Sequence, residues 1–152
     1  MSFHERPGSE GVVVLPEAEQ MSRPGVGRAV ALGAQTAGDF GLFRGEMPSG
    51  SEVAAHLHQT FSESFYVLSG RLELWDGGSW RGLAAGDLAY VPRGGVHGLR
   101  VPEGPAEVLT LFVPGVAREQ FVLELLEIRQ SGRTLTAQEW TEFYARHDQY
   151  MV

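Results

Sequence analysis

Apolar and polar residues alternate over short runs for most of this chain. The segments GVVVL (11–15), VGRAVAL (26–32), FGLFRGEM (40–47), SEVAAHLH (51–58), SESFYVL (62–68), RLELW (71–75), DLAYVP (87–92), VHGLRV (96–101) and AEVLTLFV (106–113) each have the length and composition of a β-strand. Gly, Pro, Asp and Ser punctuate them, at Ser69-Gly70, Asp76-Gly77-Gly78, Ala85-Gly86-Asp87 and Gly94-Gly95. Many short strands at near-regular spacing, with no helical period between them, predict an all-β sandwich or barrel.

The period changes after Val113. Pro114-Gly115 breaks the strand, and VAREQFVLELLEIRQ then places Phe121, Leu125 and Ile128 at helical spacing before Ser131-Gly132. Thr136-x-x-Glu139 is a capping box and predicts a second short helix through Phe143, Tyr144 and Ala145. The expected organisation is therefore an arm over 1–10, an all-β domain over 11–113 and a helical extension over 114–152. No internal repeat or low-complexity linker divides the chain.

Composition narrows the function. The 152 residues are 43% hydrophobic and 20% charged, which suits one globular core. A formal charge of -7, with 12 Lys plus Arg and no cationic run, argues against nucleic-acid and anionic-membrane partners. There is no cysteine, so disulfides, thiolate nucleophiles, zinc ribbons and iron–sulfur clusters are excluded. The first residues carry no apolar signal-like stretch, and no segment reaches the roughly 20 apolar residues a transmembrane helix needs. The expectation is a cytoplasmic enzyme or binding protein. GxSxG, GxGxxG and P-loop patterns are missing, which leaves serine-hydrolase and nucleotide-binding readings unsupported.

The candidate chemistry lies in AAHLHQTFSESFYVLSGRLEL (54–74). Residues two apart on a strand share a face, so His56 and His58 project together. On the next strand Glu63, Phe65 and Val67 share a face, opposite Ser64, Tyr66 and Leu68. If Phe65 and Val67 face the core, so does Glu63, and a carboxylate there is costly unless a cation compensates it. A divalent metal held by neutral imidazoles would do so, although a His-x-His pair alone is more often an incidental feature of a polar face. His97, in PRGGVHGLR, is a fourth candidate. Three imidazole nitrogens and one carboxylate oxygen suit divalent Fe, Ni, Co, Mn, Cu or Zn.

Two spaced motifs in this stretch resemble those of the cupin superfamily. The first is Gly50, five residues, His56-Leu57-His58, four residues, Glu63, six residues, Gly70; the second is Gly86, five residues, Pro92-Arg93-Gly94, two residues, His97. Where the second motif ends on Asn, this chain has Val101. The fifteen residues Arg71 to Ala85 between the motifs are typical of small single-domain bacterial cupins. The resemblance implies a jelly-roll β-barrel or sandwich carrying one divalent transition metal (Fe, Ni, Mn or Zn) on His56, His58, Glu63 and His97. It implies turn-forming roles for Gly50, Gly70, Gly86 and Gly94, through tolerance of positive φ.

Within that superfamily the chain is similar to the quercetin-dioxygenase-like group. This implies a metal-dependent enzyme, dioxygenase-type, acting on an enol-, flavonol- or polyketide-like small molecule, with Glu63 as ligand and general base. A metal-dependent polyketide cyclase or isomerase, or a non-catalytic metal- and ligand-binding module, are the alternatives. Phe43, Met47, Phe65, Val67, Leu74, Leu99 and Phe112 are candidate pocket walls, although residues of these types are more often ordinary core. Small cupins pair through their sheets, which implies a homodimer. Trp75 and Trp80 are expected to shield a hairpin end, His4 to lie in the arm, and His147 to meet solvent or a partner subunit rather than form a dyad with Asp148.

Overall fold

The computed structural model describes residues 11–24 and 26–152. The expected arm over 1–10, with His4, lies outside the described residues. Two antiparallel sheets face each other. One has six strands in the order β1 (Met21–Arg23), β2 (Gly27–Ala31), β3 (Gly41–Met47), β10 (Ala106–Val113), β5 (Ser62–Ser69) and β8 (Leu88–Val91). The other has five, in the order β11 (Tyr150–Met151), β4 (Glu52–Leu57), β9 (His97–Arg100), β6 (Arg71–Trp75) and β7 (Trp80–Ala84). The fold is the jelly roll in its sandwich form. Among the described residues the two sheets do not join into one closed hydrogen-bonded barrel.

Alternation decides which side chains fill the space between the sheets. On β5, Phe65 and Val67 are buried and Tyr66 is exposed; on β6, Leu72 and Leu74 are buried. With Leu83, Val91, Leu99, Val101, Ala106 and Val108 they form one core cluster, with Met47 packed against it. Val67, Leu72 and Val101 are fully buried, and each removes about 1.5–3 kcal/mol worth of apolar surface from water. Val101, at the position where the second motif has Asn, receives no polar substitute. Its backbone pairs with the first motif instead, accepting from Gly50 N at 2.7 Å and donating to Ser51 O at 2.9 Å.

Gly50, Gly70, Gly86 and Gly94 all have positive φ. Gly70, between β5 and β6, has φ 76°, and a Cβ there would also run into the Pro105 carbonyl and lie 2.9 Å from Ala106 Cα. Only glycine satisfies both demands.

Four strand expectations differ from the structure, two of them because the short β1 and β11 form where the pattern marks no strand. GVVVL is not a strand; Val12, Val13 and Val14 are exposed, because three consecutive valines offer no single face to bury. WRGLA forms β7, although only Leu83 in it is buried; pairing to β6, rather than its own pattern, makes it a strand. Trp75 and Trp80 pair across that hairpin with rings 5.6 Å apart, and the Arg100 guanidinium covers Trp80 at 4.0 Å.

The helices are α1 (Arg118–Gln130) and α2 (Ala137–Arg146). Both hydrogen bonds of the Thr136–Glu139 capping box are formed. Phe121 of α1 stacks on Phe143 of α2 at 5.4 Å, and Trp140 and Tyr144 extend the cluster. Neither helix is long and apolar enough to cross a membrane. His147 does not face solvent. Its side chain is 10% exposed, against Phe121, Phe143 and Glu124. After α2 the chain turns at Asp148, φ 52°, and returns as β11, which lies beside β4 with Tyr150 opposite Leu57 and Met151 opposite His56.

Candidate metal centre

The four motif residues reach one point from three backbone segments. His56 is the last residue but one of β4, His58 lies just beyond that strand, Glu63 is the second residue of β5 and His97 opens β9. A β-bulge aims His56. Val53 pairs with Leu99 and His56 with His97, so β4 carries one more residue than β9 between the two pairs. Gly98 makes room for the bulge, since a Cβ there would lie 3.0 Å from Val53 O and 3.4 Å from Ala55 N. Glu63 shares the inward face of β5 with Phe65 and Val67, as alternation expects.

Their exposures are 4% for His56, 3% for His58, 7% for Glu63 and 1% for His97, and one ligand atom from each lies within 4.8 Å of all the others. Ring centroids are 4.3 Å apart for His56–His97, 4.8 Å for His56–His58 and 5.4 Å for His58–His97. Phe61 stacks on His58 at 4.2 Å and Phe65 lies 6.0 Å from His97.

Hydrogen bonding sets the tautomers. Nδ1–H of His56 donates to Ala54 O at 2.8 Å, that of His58 to Asp148 O at 2.6 Å and that of His97 to Gly95 O at 3.0 Å. Carbonyls only accept, so Nδ1 holds a proton in all three rings, and in the neutral form of each ring Nε2 keeps its lone pair. Two Nε2 atoms then face the same carboxylate oxygen, Glu63 Oε2, at 2.9 Å from His97 and 3.3 Å from His58. Among the described residues His58 Nε2 has no hydrogen-bond partner, although it is buried. Converging lone pairs in a dry interior repel unless a cation lies among them, and three imidazoles with one carboxylate are a borderline-metal donor set. The residues present therefore fit a divalent metal ion.

Burial presses the His56 pKa down to about 4, so this ring is neutral and metal-ready at pH 7. At Glu63 burial acts upward, but hydrogen bonding to the His58 and His97 rings, together with their charge when protonated, outweighs it and holds the carboxyl at about 2. Arg118, buried beside Phe61, is lowered by burial against the opposing pull of Glu63 and Asp148.

Of the seven candidate pocket walls, Phe65, Val67, Leu74 and Leu99 are in the core cluster with Met47 against it. Phe43 and Phe112 form an edge-to-face pair at 5.6 Å, and Phe112 meets Phe61 at 5.7 Å. Three residues beside the site were not singled out from the sequence: Phe61, Arg118 and Asp148. Phe61 lies inside the first motif's variable stretch, where an aromatic next to a ligand strand is the one available signal. Asp148 is 90 residues from His58 and has no sequence signal.

Known proteins agree with this architecture. Residues 43–112, a little under half of the chain, match the family model of the cupin domain, and the chain is similar there to proteins of the quercetin-dioxygenase-like group. It is 33% identical over 89 residues to quercetin 2,3-dioxygenase of Bacillus subtilis (strain 168), a match that takes in 59% of this chain and 26% of that enzyme. The chain thus spans far less than two thirds of that relative. Among solved structures, KdgF from Halomonas sp. is similar with a TM-score of 0.55 and 25% identity, over 66% of this chain and 90% of that one. A protein described as a predicted oxalate decarboxylase from Thermotoga maritima gives 0.57 at 21% identity, over 67% and 99%, a likeness of fold alone.

Proposed function

We propose that this protein is a metal-dependent cupin enzyme that acts on a small organic molecule, with dioxygenase-type chemistry on an enol- or flavonol-like substrate. The observation that carries this reading is the convergence of three imidazole Nε2 atoms and one carboxylate oxygen in a buried cluster. The local likeness to quercetin 2,3-dioxygenase supports the substrate class.

His56, His58, Glu63 and His97 would hold the ion, which when bound supplies Lewis-acid polarisation of a substrate enol or enolate oxygen. Backbone carbonyls keep each imidazole in the tautomer that presents Nε2, so no reorganisation is needed as charge develops. Glu63, ionised at neutral pH, accepts the substrate hydroxyl proton at a carboxylate oxygen. Phe61 and Phe65 keep water from the ligand rings, which strengthens these interactions. In the dioxygenase reaction both atoms of one O2 enter the substrate, so no external reductant is required.

The test is oxygen uptake by protein loaded with Fe, Ni, Mn or Co in the presence of flavonols and enediols, in wild type and Glu63→Gln. Uptake by wild type, lost in Glu63→Gln although three imidazoles still retain metal, is the expected result. Full uptake by Glu63→Gln removes the proton-accepting role. Cyclised or isomerised product without oxygen consumption assigns the site to a cyclase or isomerase instead, and metal binding without turnover of any kind assigns it to a binding module.

A further inference from the structure

We propose that Asp148, in the C-terminal tail, is a positioning residue for the metal ligand His58. The inference rests on the reading of His56, His58, Glu63 and His97 as a metal site, and concerns what sets the strength of that site.

Asp148 holds the ligand loop at both of its own ends. Its backbone carbonyl accepts the His58 Nδ1–H at 2.6 Å, which selects the tautomer and fixes the plane of the ring. Its carboxylate accepts from the next two backbone amides, Gln59 N at 3.0 Å and Thr60 N at 2.7 Å, and from Thr60 Oγ1 at 2.6 Å. Residues 58–60 therefore gain their polar partners from a residue 88 to 90 positions away in sequence. Gly94 N, donating to His58 O at 2.6 Å, steadies the loop from the other side.

The tail is itself braced. Asp148 adopts φ 52°, a left-handed conformation that Asp and Asn tolerate better than most residues. The buried Arg118 donates to His147 O at 3.1 Å and to Gln149 Oε1 at 3.2 Å, flanking Asp148, and its guanidinium covers Phe121 at 4.2 Å. Directly afterwards β11 pairs with β4 and places Met151 opposite His56. The C-terminal segment thus touches the supports of two ligands. It orients His58 without reaching the metal position, by the same logic as a carboxylate–histidine–metal relay but with a backbone carbonyl as acceptor.

Outer partners of this kind typically change metal affinity by 10- to 100-fold. The test uses cobalt(II) as probe, with Kd from chelator competition and the visible absorption bands of bound cobalt as a report on ligand geometry. Asp148→Gly keeps the left-handed backbone and removes the carboxylate; it is expected to weaken cobalt about tenfold and shift the bands. Asp148→Asn, which retains one acceptor oxygen, should fall between it and wild type. Thr60→Val removes a single bond of the clamp and should shift the bands less, which keeps the test readable if Asp148→Gly does not fold. Leu83→Ala, on the edge strand β7, should lower the melting temperature while leaving Kd and bands as in wild type. Wild-type Kd and bands in Asp148→Asn and Thr60→Val, or the same band shift in Leu83→Ala, overturn the positioning role. Failure of the wild-type protein to take up cobalt overturns the metal reading beneath it.

Discussion

Phe61 links the stability of the fold to the order of the site. It is 1% exposed, stacks on His58 at 4.2 Å with 25° between the planes, and meets Phe112 edge-on at 5.7 Å. The Arg118 guanidinium lies 5.6 Å from the centre of its ring. Truncation to Ala removes a fully buried ring and leaves a cavity beside a ligand, at a cost of about 3–5 kcal/mol. For a chain of this size each kcal/mol moves the melting temperature by about 2–4 °C, so Phe61→Ala should melt on the order of 10 °C below wild type. Phe61→Leu fills much of the volume and loses mainly the aromatic contacts, worth about 0.5–1.5 kcal/mol each, so its drop should be clearly smaller. Thermal melts followed by circular dichroism measure both, and chelator competition on the same samples measures metal affinity. Cobalt should bind more weakly to Phe61→Ala, because His58 loses its stacking surface. Melting within 3 °C of wild type in Phe61→Ala, or equal losses in the Ala and Leu variants, would refute the claim that this ring holds the site.

Acid should destabilise the metal-free protein. His56 titrates near 4 when folded against an ordinary 6.5, so the unfolded chain takes up the proton first and stability falls with pH through that window, by up to about 3 kcal/mol. Glu63 acts with the same sign at lower pH: its depressed pKa stabilises the fold above the ordinary 4.5, and this is lost on the way to about 2. Urea midpoints that do not decline between pH 7 and pH 4 would contradict the first, and midpoints that do not fall further between pH 4 and pH 2 the second. Gly98→Ala should cost about 1–3 kcal/mol by crowding the β4 bulge, and should weaken metal binding because the same bulge aims His56. Wild-type melting and wild-type metal affinity in that variant would show that the bulge does not need the glycine.

Most of the fold and the four ligand candidates were legible because their signals are local. Alternation placed Glu63 with Phe65 and Val67 on the inward face of β5, and the structure has all three buried. The capping box located α2 to within a residue because Thr136 and Glu139 satisfy each other across a single turn. What stayed hidden depends on contacts between distant segments. β7 is a strand by virtue of its partner, and the bulge at Val53–His56 exists because β9 offers Gly98. Asp148 looked like an ordinary tail residue beside His147, yet the turn after α2 delivers it to the His58 loop. The valine run at 12–14 misled in the opposite direction: strong β propensity was present without a surface to cover it.

Metal content tests the central claim most directly. Protein purified without chelator, and again after incubation with Fe, Ni, Mn, Co or Zn, should carry about one divalent ion per chain by elemental analysis. A His56→Ala/His97→Ala variant that still folds should carry far less. Wild-type protein that binds none of these ions, or a double variant that binds them as tightly as wild type, would contradict the assignment of His56, His58, Glu63 and His97 as a metal centre.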